Sequence, residues 1–137
     1  MSCLGKLFTL IINNRLKSFA EKFNLIESQQ AGFRANHSTV NNIFMIKSLI
    51  DLAKTNKNKL FCCFIDFQQA FDTVWRQGLW TKLDHSKING KCLNIIRSMY
   101  ENIKSKIQVN DKSSVYFPCC NGVRQGENLS PFYFLFI

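Results

Sequence analysis

The feature that most constrains the fold is a short, continuous apolar run at residues 60–65, LFCCFI, which Asp66 follows at once. Its shortness and aromatic content favour a buried strand over a helix. The polar stretch at 55–59 before it is typical of a connector. Together with the helical and hairpin patterns on either side, this run predicts a mixed α/β (α+β) fold in which antiparallel strands pack on helices.

Apolar residues at three- and four-residue steps predict two amphipathic helices before this run. The first spans residues 4–23, with Ser2 as its cap. The second begins at Ser38 or Thr39 and continues to about Lys54. We expect its apolar face to consist of Ile43, Ile46, Leu49, Ile50 and Ala53.

The part of the chain that follows Asp66 predicts further helices and one hairpin. The helices are expected from Phe67, near 77–86, near 91–103 and from Ser130-Pro131, where an apolar stretch extends to Ile137. The hairpin is expected to pair Lys106–Val109 with Val115–Cys119 through a polar turn at 110–113.

Length and charge limit the kind of protein and partner. The chain has 137 residues, which is one domain's worth at most, and its 18 Lys and Arg against 9 Asp and Glu give a net charge of +9. This excess favours a polyanionic partner through counterion release, although a membrane surface attracts the same charge. We expect no membrane partner, because no apolar run approaches the roughly 20 residues of a membrane span and no secretory signal pattern is visible.

The cysteine pattern argues against a zinc site. Six cysteines include the adjacent pairs Cys62-Cys63 and Cys119-Cys120, and no C-x-x-C occurs. Because Cys62 and Cys63 lie in the apolar run, we expect them to act as small buried hydrophobes. Reduced thiols in an intracellular compartment, nucleus or cytoplasm, are the simplest interpretation.

Asp66 is the first candidate for chemistry. A carboxylate at the end of a buried strand has a fixed position and can bind a hard cation such as Mg²⁺ through oxygen. The alternative is an acid that stabilises the positive end of the following helix. The residue pattern by itself leaves both interpretations open.

The second candidate is the segment GVRQGENLSP at residues 122–131. Gly126 would allow the backbone to approach a base pair closely. Gln125 can form hydrogen bonds, and Arg124 can contact a phosphate. For an isolated R-Q-G, an ordinary surface turn is the alternative.

Four segments in the same order resemble reverse transcriptases of non-LTR retrotransposons. FIDF and AFDTV at 64–67 and 70–74 resemble polymerase motif A, F-x-D-F-x-K-A-F-D-x-V, with Gln69 at the usually basic position. Residues 122–131 resemble motif B, G-V-R-Q-G-D-x-L-S-P, with Glu127 in place of the usual Asp. QAGFRANHST at 30–39 and SCLGKLF at 2–8 resemble two further segments of the family, Q-x-G-F-R-x-x-x-S-T and S-x-x-G-K-x-F.

The resemblance implies roles for individual residues. Asp66 would be the catalytic metal ligand of a two-Mg²⁺ site, and Phe71 the steric gate that favours deoxynucleotides over ribonucleotides. Gln125 and Gly126 would contact the incoming nucleotide, and Arg34 and Arg124 the template or primer. For Arg34, a salt bridge to an exposed acid is the alternative. The implied partners are an RNA template, a DNA primer and deoxynucleotide triphosphates.

The resemblance also implies an incomplete polymerase domain. Residues 1–59 would be finger-like helices with a connector, and residues 60–137 a partial palm with motifs A and B, whose antiparallel sheet is incomplete and leaves an edge unpaired. The family's aromatic-x-Asp-Asp hairpin does not occur, since no Asp-Asp pair exists in the sequence. We therefore expect this chain alone to be inactive, and the alternative function is a non-catalytic remnant that binds RNA or DNA.

Overall fold

The computed structural model describes residues 2–136, in which helices and two small antiparallel ladders are mixed. The helices are α1 (Cys3–Lys22), α2 (Thr39–Thr55), α3 (Arg76–His85), α4 (Gly90–Met99) and α5 (Ser130–Phe134). The strands are β1 (Lys104–Ser105), β2 (Gln108–Val109), β3 (Lys112–Ser113) and β4 (Phe117–Pro118). The predicted mixture of helices and antiparallel strands is confirmed at this level.

The two helices predicted before the apolar run are confirmed. The Ser2 hydroxyl accepts from the Gly5 amide at 3.1 Å and begins α1. The Ser38 hydroxyl accepts from the Val40 amide at 3.2 Å and begins α2. Side-chain oxygens that satisfy free amides at the first turn explain both starting points.

A hairpin forms where one was predicted, but the predicted pairing of Lys106–Val109 with Val115–Cys119 is wrong. Lys112 and Ser113, which were predicted to lie in the turn, form β3 and pair with Gln108–Val109, while Phe117–Pro118 pair with Lys104–Ser105. The helices predicted near 77–86 and 91–103 are α3 and α4, and α4 ends at Met99. In the last apolar stretch, Leu129 is the capping residue of α5 and Ser130 is its first residue, while Ile137 lies outside the described residues.

The buried strand predicted at 60–65 is wrong. Residues 56–75 contain no helix or strand, and Phe61, Phe64 and Ile65 are 88%, 82% and 80% exposed. A strand needs a neighbour for its amides and carbonyls, and within residues 2–136 the strands pair only inside the hairpin. Cys62 and Cys63 are accordingly exposed free thiols and not buried hydrophobes.

The helix predicted from Phe67 is also wrong. Residues 68–72 form turns, in which Gln69 has a φ of +51° and its carbonyl accepts from the amides of Asp72 and Thr73. A residue with positive φ interrupts a right-handed helix, so no regular helix propagates through this segment.

The core joins α1, α3, α4 and α5. Its members include Leu16 and Ala20 of α1, Leu83 of α3, Ile96 of α4, and Phe132 and Tyr133 of α5. α2 contributes no buried residue: on its predicted apolar face Ile43, Ile46 and Leu49 are exposed, while Ile50 and Ala53 are half-buried. Because α5 and the loop before it pack in this core, the segment that resembles motif B has a fixed support.

Candidate active site

The structure brings the end of motif A against the motif B loop. The Gly122 amide donates to the Val74 carbonyl at 2.9 Å, and the Val123 amide donates to the Phe71 carbonyl at 2.8 Å. These two bonds join segments that are far apart in sequence, and we call residues 71–74 together with 122–126 the A–B junction. Val74 and Val123 are both buried there, so the junction also has an apolar base.

Side chains add a polar contact on the outside of the A–B junction. The Gln125 amide nitrogen donates to both carboxylate oxygens of Asp72, at 2.9 and 3.0 Å. The resemblance implied a contact between Gln125 and the incoming nucleotide. In the structure, the two residues orient each other at the surface of the junction.

Two glycines of the junction adopt left-handed backbone conformations for different purposes. Gly122 has a φ of +78°, and a Cβ placed there would lie 2.6 Å from the Asp72 carbonyl oxygen. Gly126 has a φ of +76°, but a Cβ there would meet no atom within 4 Å. Gly122 therefore allows close packing of motif B on motif A, whereas Gly126 borders open space, and its approach to a base pair stays a prediction.

Arg76 holds the backbone just before motif B, and the sequence gave no role to it. Its guanidinium donates to the carbonyls of Gly122, Cys119 and Asn121 at 2.7, 2.8 and 2.8 Å. A planar five-donor group suits such a set of acceptors better than an ammonium does. The sequence offered only the position of Arg76 directly after motif A, which is too weak a signal to predict three long-range contacts.

Arg124, predicted to contact phosphate, is half-buried. Its guanidinium donates to the Met99 carbonyl at 2.7 Å and lies 5.6 Å from the centre of the Tyr100 ring. The guanidinium of Arg76 lies 5.1 Å from the same ring. Both arginines therefore pack against Tyr100 and bond to backbone carbonyls near the motif B loop. A phosphate contact by Arg124 stays a prediction.

A buried carboxyl lies beneath the loop. Glu127 is buried, and the Tyr100 hydroxyl donates to its Oε2 atom at 2.8 Å. Burial raises the pKa of Glu127, while the bond from Tyr100 and the charge of Arg124 act in the opposite direction. Burial and the neighbouring Glu127 likewise raise the pKa of Tyr100, so Tyr100 keeps its proton and remains a donor.

Phe71, the predicted steric gate, lies in a group of three aromatic rings. Its ring centre is 5.6 Å from that of Phe134 and 6.4 Å from that of Phe33. Phe33 belongs to the segment at 30–39 and Phe134 to α5, so this ring joins motif A to the segment at 30–39 and to the helix that follows the motif B loop. The packing fixes the half-buried ring but leaves its action on a ribose untested.

Arg34 is engaged within the protein. Its guanidinium donates to both carboxylate oxygens of Glu21 at 2.9 Å and to the Glu27 carbonyl at 3.0 Å. This hydrogen bonding lowers the pKa of Glu21. The salt bridge that the sequence left open as an alternative therefore forms, and a contact between Arg34 and template or primer stays a prediction.

Asp66 lies in the exposed segment before the A–B junction. Among residues 2–136, no three His, Cys, Asp or Glu side chains come together as a group that could hold a metal ion. Asp66 is thus a single candidate ligand, and its one carboxylate does not by itself fit a two-metal site. Across the same residues, no helix is both long and apolar enough to cross a membrane.

Comparisons with known proteins agree with the resemblance. A family model described as Reverse transcriptase (RNA-dependent DNA polymerase) matches residues 1–137. The chain is 32% identical over 131 residues to "Probable RNA-directed DNA polymerase from transposon BS" of Drosophila melanogaster. This alignment covers 96% of the chain and 14% of that protein. It is 34% identical over 129 residues to "RNA-directed DNA polymerase from mobile element jockey" of Drosophila funebris, covering 93% and 14%.

A relative from a second kind of element is similar over the same region. The chain is 26% identical over 127 residues to "Retrovirus-related Pol polyprotein from type-1 retrotransposable element R2" of Nasonia vitripennis, covering 93% of this chain and 12% of that protein. The resemblance to reverse transcriptases of non-LTR retrotransposons is confirmed. The sequence thus spans about one seventh of the length of the first relatives.

Proposed function

The chain belongs to the reverse transcriptase family, and we propose that it is part of an RNA-directed DNA polymerase of a non-LTR mobile element. The reaction would be nucleotidyl transfer from a deoxynucleotide triphosphate to the 3′-hydroxyl of a DNA primer on an RNA template. The observation that supports this most is the A–B junction, in which two backbone bonds of 2.8 and 2.9 Å hold the motif B loop against motif A. An intracellular setting, nucleus or cytoplasm, belongs to the same proposal.

The residues of the junction suit a nucleotide site. Phe71 would limit space at the 2′ position of the sugar, while Gln125 and Gly126 would face the base pair. Arg124 and Arg34 would act near the template and primer backbone, in addition to their contacts within the protein. Finer architecture belongs to the proposal as well, with finger-like helices in 1–59 and a partial palm in 60–137.

Asp66 is proposed as a metal ligand. Mg²⁺ bound in such a site would activate the primer hydroxyl and stabilise the triphosphate. A single carboxylate cannot hold two divalent ions against water. We therefore expect this chain alone not to extend a primer on an RNA template, and an active enzyme would need further acids.

A chimeric polymerase tests the proposal. The 137-residue chain would replace the matching region of the transposon BS relative, and primer extension on RNA would be measured with Mg²⁺. We expect extension that Asp66→Asn abolishes, because the amide carries no charge to bind the cation. Asp111→Asn, which changes another exposed acid in the hairpin, is the matched control and should leave the rate unchanged.

The chimera also tests the role of Phe71. Phe71→Val should increase ribonucleotide incorporation relative to deoxynucleotide incorporation, because a smaller side chain leaves room for the 2′-hydroxyl. Equal extension by the Asp66→Asn and parent chimeras would refute the assignment of Asp66. An unchanged nucleotide preference would refute the assignment of Phe71.

The second candidate function is a non-catalytic remnant that binds RNA or DNA, which the net charge of +9 favours. Binding of RNA by the chain alone, at several salt concentrations, distinguishes the two functions when combined with Asp66→Ala. A binding remnant should lose almost no RNA affinity with this substitution and should give a chimera without extension, whereas a polymerase segment should give a chimera whose extension vanishes with it.

A further inference from the structure

The two tryptophans have different environments. Trp80 is 4% exposed in the core, whereas Trp75 is 72% exposed at the residue before α3. The six-membered part of the Trp75 indole lies directly over Gly78, since its Cε3 and Cζ3 atoms are 2.5 and 2.9 Å from the place where a Cβ of residue 78 would stand. The side chain therefore rests on the helix backbone and remains widely open to solvent.

Gly78 explains why the ring can rest there. Glycine is disfavoured inside a helix relative to alanine, so its presence in α3 needs a reason. At this position any side chain would collide with the indole. Gly78 thus leaves room for the indole to pack on the helix backbone. Since this ring contributes little to the core, its fixed position favours a contact with a molecule outside the chain.

The surroundings of Trp75 suit a nucleotide. The ring borders a cavity of about 460 Å³ that is also lined by Gln77 and Arg97, both exposed. A guanidinium can bind phosphate and an amide can bind the edge of a base. Glu101 is the one acid of the lining and would repel a phosphate close to it. The backbone next to the ring is fixed, because Arg76 bonds to three carbonyls of the facing loop.

We propose that Trp75 is a stacking platform for a base of single-stranded nucleic acid and that Arg97 binds an adjacent phosphate. Stacking on an aromatic ring tolerates every base and is typical of single-strand binding. The net charge of +9 makes a polyanion the favoured ligand over a neutral one. This contact rests on the nucleic-acid partner of the proposed function but is separate from the A–B junction.

Tryptophan fluorescence of the full chain tests the platform. A short oligoadenylate should quench the emission of the exposed Trp75 on binding, and the same strand in a duplex should quench it less because its bases are paired. Trp75→Leu should weaken binding of the oligoadenylate about tenfold. Arg97→Gln should lower the slope of log affinity against log salt by about one.

Two further variants separate stacking from a general loss of structure. Gly78→Ala keeps the indole but displaces it, so it should weaken oligoadenylate binding about as much as Trp75→Leu. Tyr116→Leu removes another exposed aromatic ring, which is 65% exposed and has Lys106 5.9 Å from its centre, and should change affinity less than about twofold. In Trp75→Leu the buried Trp80 is the remaining tryptophan, so its emission reports whether the core of that variant is intact.

The outcomes are distinct. Quenching, with a loss of affinity in Trp75→Leu and Gly78→Ala but not in Tyr116→Leu, would support the platform. If the chain binds the oligoadenylate with unchanged affinity in Trp75→Leu, the platform is refuted while the proposed polymerase function stands. If the chain binds no oligoadenylate, the platform falls whatever the chimera of the previous subsection does.

Discussion

Gly122→Ala is the sharpest test of the A–B junction, because the chain provides a matched control. Gly122 and Gly126 have φ values of +78° and +76°, so alanine at either position has the same left-handed strain of about 1–2 kcal/mol. Only at Gly122 would the new Cβ also meet a backbone oxygen, that of Asp72, at 2.6 Å. Any difference between the two variants therefore measures the contact between motifs A and B.

The size of the difference follows from that contact. A carbonyl held in the junction cannot rotate away as a flexible side chain would, and overpacking of this kind costs about 1–3 kcal/mol. We expect Gly122→Ala to lower the free energy of unfolding by about 2–5 kcal/mol and Gly126→Ala by about 1–2 kcal/mol. Each kcal/mol lowers the melting temperature of a domain of this size by roughly 4 °C.

Urea denaturation of the two variants and the parent protein measures this difference. Hydrogen exchange gives a local reading, since the Val123 amide bonds to the Phe71 carbonyl at 2.8 Å and should exchange faster in Gly122→Ala. The Ile88 amide, bonded to the Leu83 carbonyl at 2.9 Å, is the internal control. Equal destabilisation by both alanines, with an unchanged Val123 amide, would refute the close packing of the junction.

Three further predictions concern charged groups. Arg76→Lys should lower the free energy of unfolding, measured by urea denaturation, by about 2–3 kcal/mol, because an ammonium cannot reach all three carbonyls. An unchanged free energy of unfolding would contradict the role of Arg76. Because burial raises the pKa of Glu127, its protonated carboxyl stabilises the folded protein fully below its ordinary pKa of 4.5, and this contribution is lost as pH rises through the folded-state pKa. The free energy of unfolding of Glu127→Gln should therefore increase relative to that of the parent protein as pH rises. A stability difference that does not change with pH would count against burial of the Glu127 carboxyl. Arg34→Gln should return the pKa of Glu21 to its ordinary value, as NMR titration of that carboxyl can show, and a Glu21 pKa that stays low would mean that Arg34 is not its main partner.

The elements that could be predicted from sequence are those whose signals are local. α1 and α2 have serine caps and apolar residues at helical steps, and the hairpin has a polar turn between β-favouring segments. The strand predicted at 60–65 failed because a strand depends on partners elsewhere in the chain, which an apolar run cannot reveal. The same limit explains why the exposure of Cys62 and Cys63 was not anticipated.

For the candidate site, motif spacing located the segments but not their contacts. Phe71, Gln125 and Gly126 were predicted from the motifs, and the structure brings them into one junction. The contacts of Arg76 and the burial of Glu127 depend on tertiary packing and were missed. Arg34 shows the converse, since the sequence offered a salt bridge and a nucleic-acid contact, and only the folded structure reveals Glu21 as its partner.

The uncovered helix α2 has a consequence for how firmly different parts of the protein are held. None of its 17 residues is buried, so its helical form depends on intrinsic preference and on local contacts such as the Lys47–Asp51 pair at 2.8 Å. Opening of this helix removes little from the core that joins α1, α3, α4 and α5. We therefore expect residues 39–55 to unwind and rewind more readily than the rest of the protein, while the A–B junction keeps its shape.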